Sequence, residues 1–357
     1  MSNIKEKANL IVGAVASGDA EKVAALAHEI GGVAAGKLDE AQGLKAGGGE
    51  NPLDKWFAPQ SWEEMIDDFS RQGDGLRTAW KVRFNGGEPY DIVIPSGAIT
   101  VFSAPTGHGK TKLLANVTLQ YLKAFEGTGR QVWHIHYEMS KGDTIGGLIN
   151  VKANTRVADI NADYIRTFLK GGESTSIPLL TAQDYIKTKY TNGELRVIST
   201  SPTIEEIVAA AQEGARRGVL GALVIDYVQK IGAQKKGIVS AKDRISYVMG
   251  ELDKLAQGTG VAIATASQFN RLAEGPASMQ MQQNADASEI EHTASLVVGL
   301  WSSYIPPRDG ILPKEIGRFD VDPEGIGFMY MRVFKNRNGL SNSWGVQRYD
   351  ANTGAIW

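Results

Sequence analysis

The sequence predicts an α/β fold in which a mostly parallel sheet is flanked by helices, plus a small N-terminal helical segment. The first observation is that short apolar strands alternate with amphipathic helices from about Leu76 onward, which is typical of βαβ units. The second is that the apolar strand 99–102 runs straight into a glycine-rich turn that opens a helix. In parallel sheets such turns lie at the carboxyl edge, where ligands bind.

Each element rests on a local pattern. Strands are predicted from short apolar runs at residues 99–102, 132–137, 223–225, 261–266, 296–301 and 328–334. Helices are predicted at residues 4–15, 20–30, 61–71, 203–217 and 243–257, and from the glycine-rich turn as far as Gly127. Two of these helices begin with a capping box, formed by Ser61 with Glu64 and by Thr203 with Glu206.

The patterns divide the chain into three parts. Residues 1–52 are predicted to form a helical pair followed by a flexible linker rich in glycine, alanine and lysine. Residues 53–75 contain one short helix with an apolar stripe that includes Trp62, Met65 and Phe69. A helix this short is not stable alone, so we expect it to dock on another surface. Residues 76–357 are predicted to form the α/β domain.

The composition is that of an ordinary soluble protein and excludes several kinds of site. The 357 residues include 38 basic and 40 acidic side chains, a net charge of -2, so nucleic-acid binding would rest on locally placed charge. The chain has no cysteine, which rules out disulfides, thiolate metal sites and cysteine nucleophiles. No apolar run approaches the roughly 18 residues of a membrane span, and the N-terminus lacks a signal-peptide layout. We therefore expect a cytoplasmic protein without a membrane partner.

The glycine-rich turn matches the phosphate-binding loop pattern, except that an alanine takes the place of the first glycine. The predicted nucleotide-binding residues are Ala104, Pro105, Thr106, Gly107, His108, Gly109, Lys110, Thr111 and Lys112. Backbone N–H groups and the helix N-terminus would cradle phosphate oxygens. Lys110 would neutralise the β and γ phosphates of ATP, and the Thr111 hydroxyl would ligate Mg²⁺. A chance Gly-Lys-Thr in an ordinary turn is disfavoured by the flanking strand and helix.

Three further polar side chains follow apolar strands. Glu138 stands where a general base for water attack belongs, although a solvated glutamate at a strand end fits the local sequence equally well. Asp226 ends an apolar strand, as a Mg²⁺-binding carboxylate does. Gln268 closes the next strand, where its amide either senses the γ phosphate or only bonds to backbone.

Lys335 and Arg337 are two cations that stand two residues apart at the end of the last predicted strand. Strand alternation aims both side chains the same way. In a ring of subunits, such a pair can reach the nucleotide of a neighbour, as arginine fingers do. A solvated basic hairpin tip is the default interpretation of these two residues alone.

Together, the motifs resemble those of the DnaB-type replicative helicase motor, which has a RecA-like P-loop NTPase fold. The segments that carry the resemblance are Ala-Pro-Thr-Gly-His-Gly-Lys-Thr, Tyr-Glu-Met-Ser, Val-Ile-Asp-Tyr-Val-Gln, Ala-Ser-Gln-Phe-Asn-Arg, Glu-Ile-Glu-His-Thr-Ala-Ser and Lys-Asn-Arg-Asn-Gly. They occur in the order of the family, between about residues 76 and 339. The resemblance implies that Lys110 and Glu138 are catalytic, that Asp226 holds Mg²⁺ and that Gln268 is a sensor.

The resemblance also implies an assembly. Lys335 and Arg337 would act in catalysis on the nucleotide of the adjacent subunit, and the helix 61–71 would dock on the next subunit. The implied activity is that of an ATP-dependent, ring-forming DNA helicase that translocates on single-stranded DNA during replication. Its implied partners are single-stranded or forked DNA, further copies of the chain in a homo-hexamer, and a primase or loader. The setting would be the cytoplasm, or the host cytoplasm for a phage- or plasmid-encoded protein.

Two stretches depart from the family pattern. The short helical pair stands where the family has a large N-terminal collar domain. The expected DNA-binding loop lacks the usual arginine and comprises Asn284, Ala285, Asp286, Ala287 and Ser288, although backbone N–H groups can bind phosphate. A basic stretch either supplies charge to a DNA channel or is a solvated loop, and it contains Lys230, Lys235, Lys236, Lys242 and Arg244.

Two other functions stay open at this point. One is a RecA/RadA-class DNA-binding ATPase without unwinding activity, and the other is a helicase-like loader or scaffold with a degenerate site. The Tyr-Glu-Met-Ser and Lys-Asn-Arg-Asn-Gly segments favour the helicase over the first. The presence of Lys110, Thr111, Glu138 and Asp226 argues against the second.

Overall fold

The computed structural model describes residues 75–154, 162–269, 274–283, 287–308 and 326–357. All of them belong to the second of two compact units of the chain, Glu63–Trp357. The helices predicted at residues 4–15, 20–30 and 61–71 lie outside the described residues. The division of the chain after residues 52 and 75 therefore stays a prediction.

Strands and helices alternate over most of the described part. The strands there are β1 (Leu76–Val82), β2 (Tyr90–Ile94), β3 (Ile99–Ala104), β4 (Gln131–His136), β5 (Leu195–Ile198), β6 (Leu220–Asp226), β7 (Ala262–Gln268), β8 (Leu296–Ser302), β9 (Gly327–Asn336) and β10 (Ser343–Tyr349). The α-helices there are α1 (Lys110–Ala124), α2 (Lys141–Ala153), α3 (Ala162–Leu169), α4 (Ile177–Thr191), α5 (Ile204–Arg216), α6 (Ala241–Thr259) and α7 (Ala287–Thr293). Short 3-10 turns occupy Val228–Lys230 and Met281–Gln283.

The strands form a small sheet and a large one. β1 and β2 pair in an antiparallel two-stranded sheet, and the other strands form an eight-stranded sheet in the order β10-β9-β8-β3-β7-β6-β4-β5. The strands from β8 to β5 in this order run parallel, whereas β9 and β10 are antiparallel additions at one side. The predicted mostly parallel sheet flanked by helices is confirmed.

Helices cover both faces of the parallel region, and β3 shows how. Its residues Phe102 and Ala104 belong to a buried cluster that includes side chains of α1, α2 and α4. Ile99 and Val101, which point to the opposite face, belong to a second cluster with α5 and α6. Successive strand residues face opposite sides, so a strand covered on both faces is mainly apolar. This explains why the buried strands appear in the sequence as nearly continuous apolar runs.

The carboxyl ends of the central parallel strands meet at one edge of the sheet. β3 lies beside β7, and Ala104 is the register partner of Gln268. β4 lies beside β6, with His136 opposite Asp226. The segments that follow these four strands are therefore neighbours, as a shared ligand site at this edge requires.

Most predicted elements are confirmed, with different bounds. The strand predicted at 223–225 extends over Leu220–Asp226, and the helix after the glycine-rich turn ends at Ala124, before Gly127. The capping box of Thr203 with Glu206 is confirmed. Strict strand–helix alternation from Leu76 is wrong at the start, because three strands precede the first helix of the described part. Among the described helices, none has the length and apolar character needed to cross a membrane.

Candidate active site

The turn from Ala104 to Thr111 joins β3 to α1. Gly107 and Gly109 both have a φ of 85°, a left-handed conformation that residues with a Cβ avoid. A Cβ on Gly109 would also lie 2.9 Å from the hydroxyl oxygen of Tyr349. Ala104 ends β3, is fully buried and has no positive φ, so a glycine is not needed there. Because α1 starts without a side-chain cap or an acidic residue in its first turn, its N-terminal N–H groups are open to an anion.

The side chain of Lys110 folds back onto the start of this turn. Its Nζ donates hydrogen bonds to the carbonyl oxygens of Ala104 and Pro105, both at 2.9 Å. Burial lowers the pKa of Lys110 to about 8, although the carboxylates of Asp226 and Glu138 oppose this shift. A partly desolvated ammonium gains from an anion that replaces neutral carbonyl contacts. A phosphate oxygen is therefore a better partner for the Lys110 ammonium than the two carbonyl groups are.

His108 fastens the turn to the end of β8. Its side chain is buried, and Nδ1 accepts the backbone N–H of Ser302 at 3.1 Å. The ring also packs against Trp301, with 4.2 Å between ring centroids. Burial, with the positive charge of Lys110, lowers the pKa of His108 to about 4, so the imidazole is neutral near pH 7. The side chain of His108 is thus committed to β8, and only its backbone is left to bind a phosphate.

Asp226 and Thr111 form the candidate metal site. Asp226 is almost fully buried, and its Oδ2 lies 3.1 Å from Nε2 of His136. Burial acts to raise the pKa of Asp226, but the interactions with His136 and with the Thr111 hydroxyl outweigh it and leave the pKa below its usual value. Asp226 is therefore an anion beside the Thr111 hydroxyl.

An anionic carboxylate next to a hydroxyl fits Mg²⁺. This cation takes oxygen ligands and binds proteins through one or two side chains together with substrate phosphates. The described residues contain no cluster of three or more histidine or acidic side chains that could hold a metal by themselves. Thr111 and Asp226 would hold Mg²⁺ only as part of a nucleotide complex.

Glu138 lies two residues beyond β4, on the same edge. Its Oε1 is 3.0 Å from Nζ of Lys230, and the Tyr227 hydroxyl donates to the same oxygen at 3.4 Å. The ion pair with Glu138 raises the pKa of Lys230. Lys230, which the sequence had grouped with the possible channel cations, is thus paired inside the candidate site. The negative charge of Glu138 also acts on the phosphate turn, because it opposes the lowering of the Lys110 pKa.

Gln268 is the last residue of β7 and reaches the phosphate turn directly. Its Nε2 donates to the hydroxyl oxygen of Thr106 at 2.7 Å. Both residues lie where β3 and β7 end side by side, because Ala104 and Gln268 are register partners. The observed partner of the Gln268 amide is thus a side chain of the phosphate turn, and its role as a sensor of the γ phosphate stays a prediction.

Lys335 and Arg337 lie at the opposite end of the sheet, where the parallel strands begin. β9 runs antiparallel to β8, and Lys335 is paired with Val297 near the start of β8. Both cations donate to the C-terminal turn of α7, Lys335 to the carbonyl of Glu291 and Arg337 to that of His292, the latter at 2.6 Å. The expectation that the two side chains point the same way is confirmed.

The length of β3 separates these two cations from the chain's own phosphate turn. Thr100, near the start of β3, is paired with Leu296 at the start of β8, whereas Lys110 follows the end of β3. The strand from Thr100 to Ala104 covers about 13 Å at a rise of about 3.3 Å per residue. Lys335 and Arg337 are therefore placed away from the nucleotide site of their own chain.

The residues predicted to contact DNA are only partly described. Lys235 and Lys236 are exposed in the segment between Lys230 and α6, and Nζ of Lys235 lies 4.6 Å from the ring centroid of Tyr247. Ala287 starts α7 and Ser288 is exposed on it. Asn284, Ala285 and Asp286 lie outside the described residues.

Comparison with known proteins gives the family. A family model described as DnaB-like helicase C terminal domain matches residues 94–348, which are most of the chain. The chain belongs to this family. The resemblance to DnaB-type helicases that the sequence motifs carried is thereby confirmed, and so is the RecA-like fold.

Individual relatives of this DnaB-like chain are distant. A probable plasmid replicative DNA helicase of Chlamydia psittaci is 24% identical over 230 residues, 64% of this chain and 46% of that protein. The chain thus spans about half the length of this curated relative. A solved ATPase domain is similar with a TM-score of 0.58 and 16% identity, over 86% of this chain and 99% of that one. A DnaB-like replicative helicase, solved for its interactions with primase, has a TM-score of 0.57 and 15% identity, over 99% of this chain and 75% of that one.

The structure brings into the site three residues that the sequence did not place there. His136 contacts Asp226, while Lys230 and Tyr227 contact Glu138. For His136 the sequence contained a signal. A histidine in a buried strand, two residues before Glu138, needs polar partners. For the other two there was no signal in the local sequence, since their contact depends on β4 and β6 being neighbours.

Proposed function

We propose that this DnaB-like chain is the motor of an ATP-dependent, ring-forming DNA helicase that translocates on single-stranded DNA during replication. The observation that carries the proposal is the division of the candidate site on one chain. Asp226 ends β6, and Lys110 and Glu138 follow the ends of β3 and β4, all at the carboxyl edge of the sheet, whereas Lys335 and Arg337 lie at the opposite ends of the strands. A site divided in this way is complete when the next copy in a ring contributes its two cations.

The residues at the carboxyl edge divide the work of ATP hydrolysis. The N–H groups at the start of α1 and the Lys110 ammonium bind the β and γ phosphates. Thr111 and Asp226 would hold Mg²⁺, which when bound would neutralise charge on the phosphate oxygens. Glu138 accepts a proton from the attacking water. The Gln268 amide exchanges its contact with Thr106 for a γ-phosphate oxygen and so registers whether that phosphate is present.

The cations of the neighbouring copy act on the same nucleotide. Lys335 and Arg337 currently bond to carbonyl groups of α7, which are neutral partners. The negative charge that builds up on the transferred phosphoryl group is a stronger partner for both. Hydrolysis would then depend on assembly, and each hydrolysis step would be transmitted to the adjacent subunit through these two residues and α7.

The proposed partners are single-stranded or forked DNA, a homo-hexamer of this chain, and a primase or loader. Lys235 and Lys236 are the exposed cations proposed to face DNA, with Ser288 and the residues around it as backbone contacts. The proposed setting is the cytoplasm of a cell, or of a host if a phage or plasmid carries the gene.

The proposal is tested on the full chain with three measurements. We expect six-subunit particles in mass photometry with ATP and Mg²⁺, phosphate release stimulated by single-stranded DNA, and strand separation on a forked duplex. Strict monomers with DNA-independent turnover would overturn it. Filaments that bind DNA without strand separation would instead support a recombination-type ATPase.

Glu138→Gln tests the catalytic assignment. Loss of the base should lower ATP hydrolysis at least about 100-fold, while assembly and nucleotide binding persist. Glu251→Gln is the matched control, since Glu251 is on α6 in an ion pair with Lys254 away from the site. If the unchanged protein hydrolyses ATP no faster than Glu138→Gln, the scaffold function is favoured and the motor is not.

A further inference from the structure

Lys230 forms an ion pair with Glu138, the candidate general base. Its Nζ lies 3.0 Å from Oε1 of Glu138, and the two side chains are 47% and 50% exposed. The Tyr227 hydroxyl donates to the same oxygen at 3.4 Å. A carboxylate oxygen that already accepts from an ammonium and a phenol is restrained and less available to an attacking water.

The turn that carries Lys230 connects three parts of the molecule. Its neighbour Gln229 donates from Nε2 to Oγ of Ser267, at 2.8 Å, one residue before the end of β7. On the other side, Arg244 of α6 donates to the Gln229 carbonyl at 3.1 Å. The segment 231–240, in which Lys235 and Lys236 are exposed, leads from this turn to α6. Lys230 is therefore placed between the phosphate edge of the sheet and the surface proposed to face DNA.

The ion pair is of a kind that an anion can displace. Exposed ion pairs are weak and are screened by salt, and phosphate oxygens compete well for a lysine ammonium. Once Lys230 has bound a phosphate, Glu138 has lost its strongest partner and can turn toward a water. The change needs no movement of the sheet, because both residues follow strand ends at the same edge.

We propose that Lys230 is a positioning residue that restrains Glu138 until a phosphate group takes the Lys230 ammonium and frees the carboxylate. The phosphate is either one of single-stranded DNA bound beside the segment 231–240 or the γ phosphate of the nucleotide. This inference rests on the proposed function of Glu138 as the general base.

Lys230→Met removes the charge and keeps a flexible side chain of similar length. The kcat and KM for ATP are measured with and without single-stranded DNA, beside the unchanged protein. If DNA frees Glu138, the DNA-free kcat should rise at least about threefold and the stimulation by DNA should fall by a similar factor. If the γ phosphate frees it, the KM for ATP should instead rise at least about threefold, with stimulation by DNA retained.

Two controls isolate the pair. Lys230→Arg keeps a cation beside Glu138 and should restore values close to those of the unchanged protein. Lys254→Met removes a lysine from the exposed pair with Glu251 on α6 and should leave kcat, KM and stimulation unchanged. An unchanged or lower DNA-free kcat together with an unchanged KM in Lys230→Met would overturn the inference.

Glu138→Gln separates the two levels of failure. If that variant hydrolyses ATP at the normal rate, Glu138 is not the base and the proposed function of the site fails. If that variant is inactive while Lys230→Met behaves like the unchanged protein, the base assignment stands and only the restraint by Lys230 is wrong.

Discussion

His136 and Asp226 contact each other inside the sheet, with 3.1 Å between Nε2 and Oδ2. They are register partners on β4 and β6, and both are almost fully buried. Nδ1 of His136 accepts the backbone N–H groups of Glu138 and Met139, each at 3.1 Å. Because Nδ1 is an acceptor, a proton of the ring is on Nε2, the atom that faces the carboxylate. One ring thus contacts the candidate metal ligand and holds the backbone of the candidate base.

Replacing His136 with alanine should therefore lower the free energy of unfolding by about 2–4 kcal/mol. The backbone N–H groups of residues 138 and 139 lose their acceptor, Asp226 loses its polar partner, and a cavity is left. His136→Asn keeps an acceptor oxygen on the same side and should cost less than half as much. Urea denaturation at pH 7 measures both. Equal losses would mean that side-chain volume, and not hydrogen bonding, is what the site requires.

A second prediction concerns the contact between Gln268 and Thr106. Gln268→Ala should lower DNA-stimulated kcat at least about 10-fold if the amide reaches the γ phosphate. Its unfolding free energy should change by less than about 0.5 kcal/mol, because the contact is exposed. Thr106→Val removes the present partner and keeps the glutamine, so it should be much milder. A similar loss of kcat in both variants would mean that Gln268 only holds the phosphate turn through Thr106 and does not contact the γ phosphate.

Much of the fold was accessible from the sequence, because burial on both faces makes β3, β6, β7 and β8 mainly apolar runs. Helices α2, α3, α4 and α7 were not predicted, and α2 shows why. Its segment contains Gly142, Gly146 and Gly147, which favour a loop interpretation. In the structure a Cβ on Gly146 would lie 3.2 Å from Cγ2 of Ile165, so close packing of α3 explains that glycine. Tertiary contact of this kind leaves no local signal.

The site was predictable where chemistry is local and not where it depends on strand order. Lys110 and Thr111 follow from one contiguous motif. The pairs His136–Asp226 and Lys230–Glu138 exist only because β6 inserts beside β4, out of sequence order. The position of Lys335 and Arg337 opposite the phosphate edge likewise follows from the antiparallel direction of β9, which the apolar pattern of that strand does not encode.

A third prediction is a loss of stability on mild acidification. Burial lowers the pKa of His108 and of His134 to about 4, below the ordinary histidine value. The unfolded chain therefore binds protons first, and stability present above about pH 6.5 is lost as the pH falls toward 4. Between pH 7 and pH 5 we expect on the order of 2 kcal/mol for each of these histidines.

His134→Gln tests this assignment. The Thr118 hydroxyl donates to the carbonyl of Leu114 and so accepts from Nδ1 of His134, at 2.8 Å, which leaves the buried Nε2 without a hydrogen-bond partner among the described residues. A glutamine does not titrate, so the loss of unfolding free energy from pH 7 to pH 5 should shrink by about 2 kcal/mol. His292→Gln, at an exposed position on α7, is the control and should leave the pH dependence intact. An unaltered slope in His134→Gln would contradict the prediction.

The last prediction concerns the divided site. Lys110→Ala disables the nucleotide side of a subunit, and Arg337→Ala disables the side that serves its neighbour. Each variant alone should lose at least about 1,000-fold in ATP hydrolysis. When the two are unfolded or dissociated together and reassembled at equal amounts, about one interface in four joins an intact Lys110 to an intact Arg337 by random mixing in a ring. Phosphate release should therefore return to roughly a quarter of the normal rate.

The control mixture is Lys110→Ala with Glu138→Gln. Both residues belong to the same side of the site, so no arrangement of these subunits places an intact Lys110 and an intact Glu138 around one nucleotide. This mixture should stay inactive, although it assembles in the same way. Activity in the control would show that subunits exchange more than Lys335 and Arg337. An inactive first mixture, with mixed rings verified by mass photometry of one tagged variant, would place Arg337 in the site of its own chain, against the separation of about 13 Å along β3.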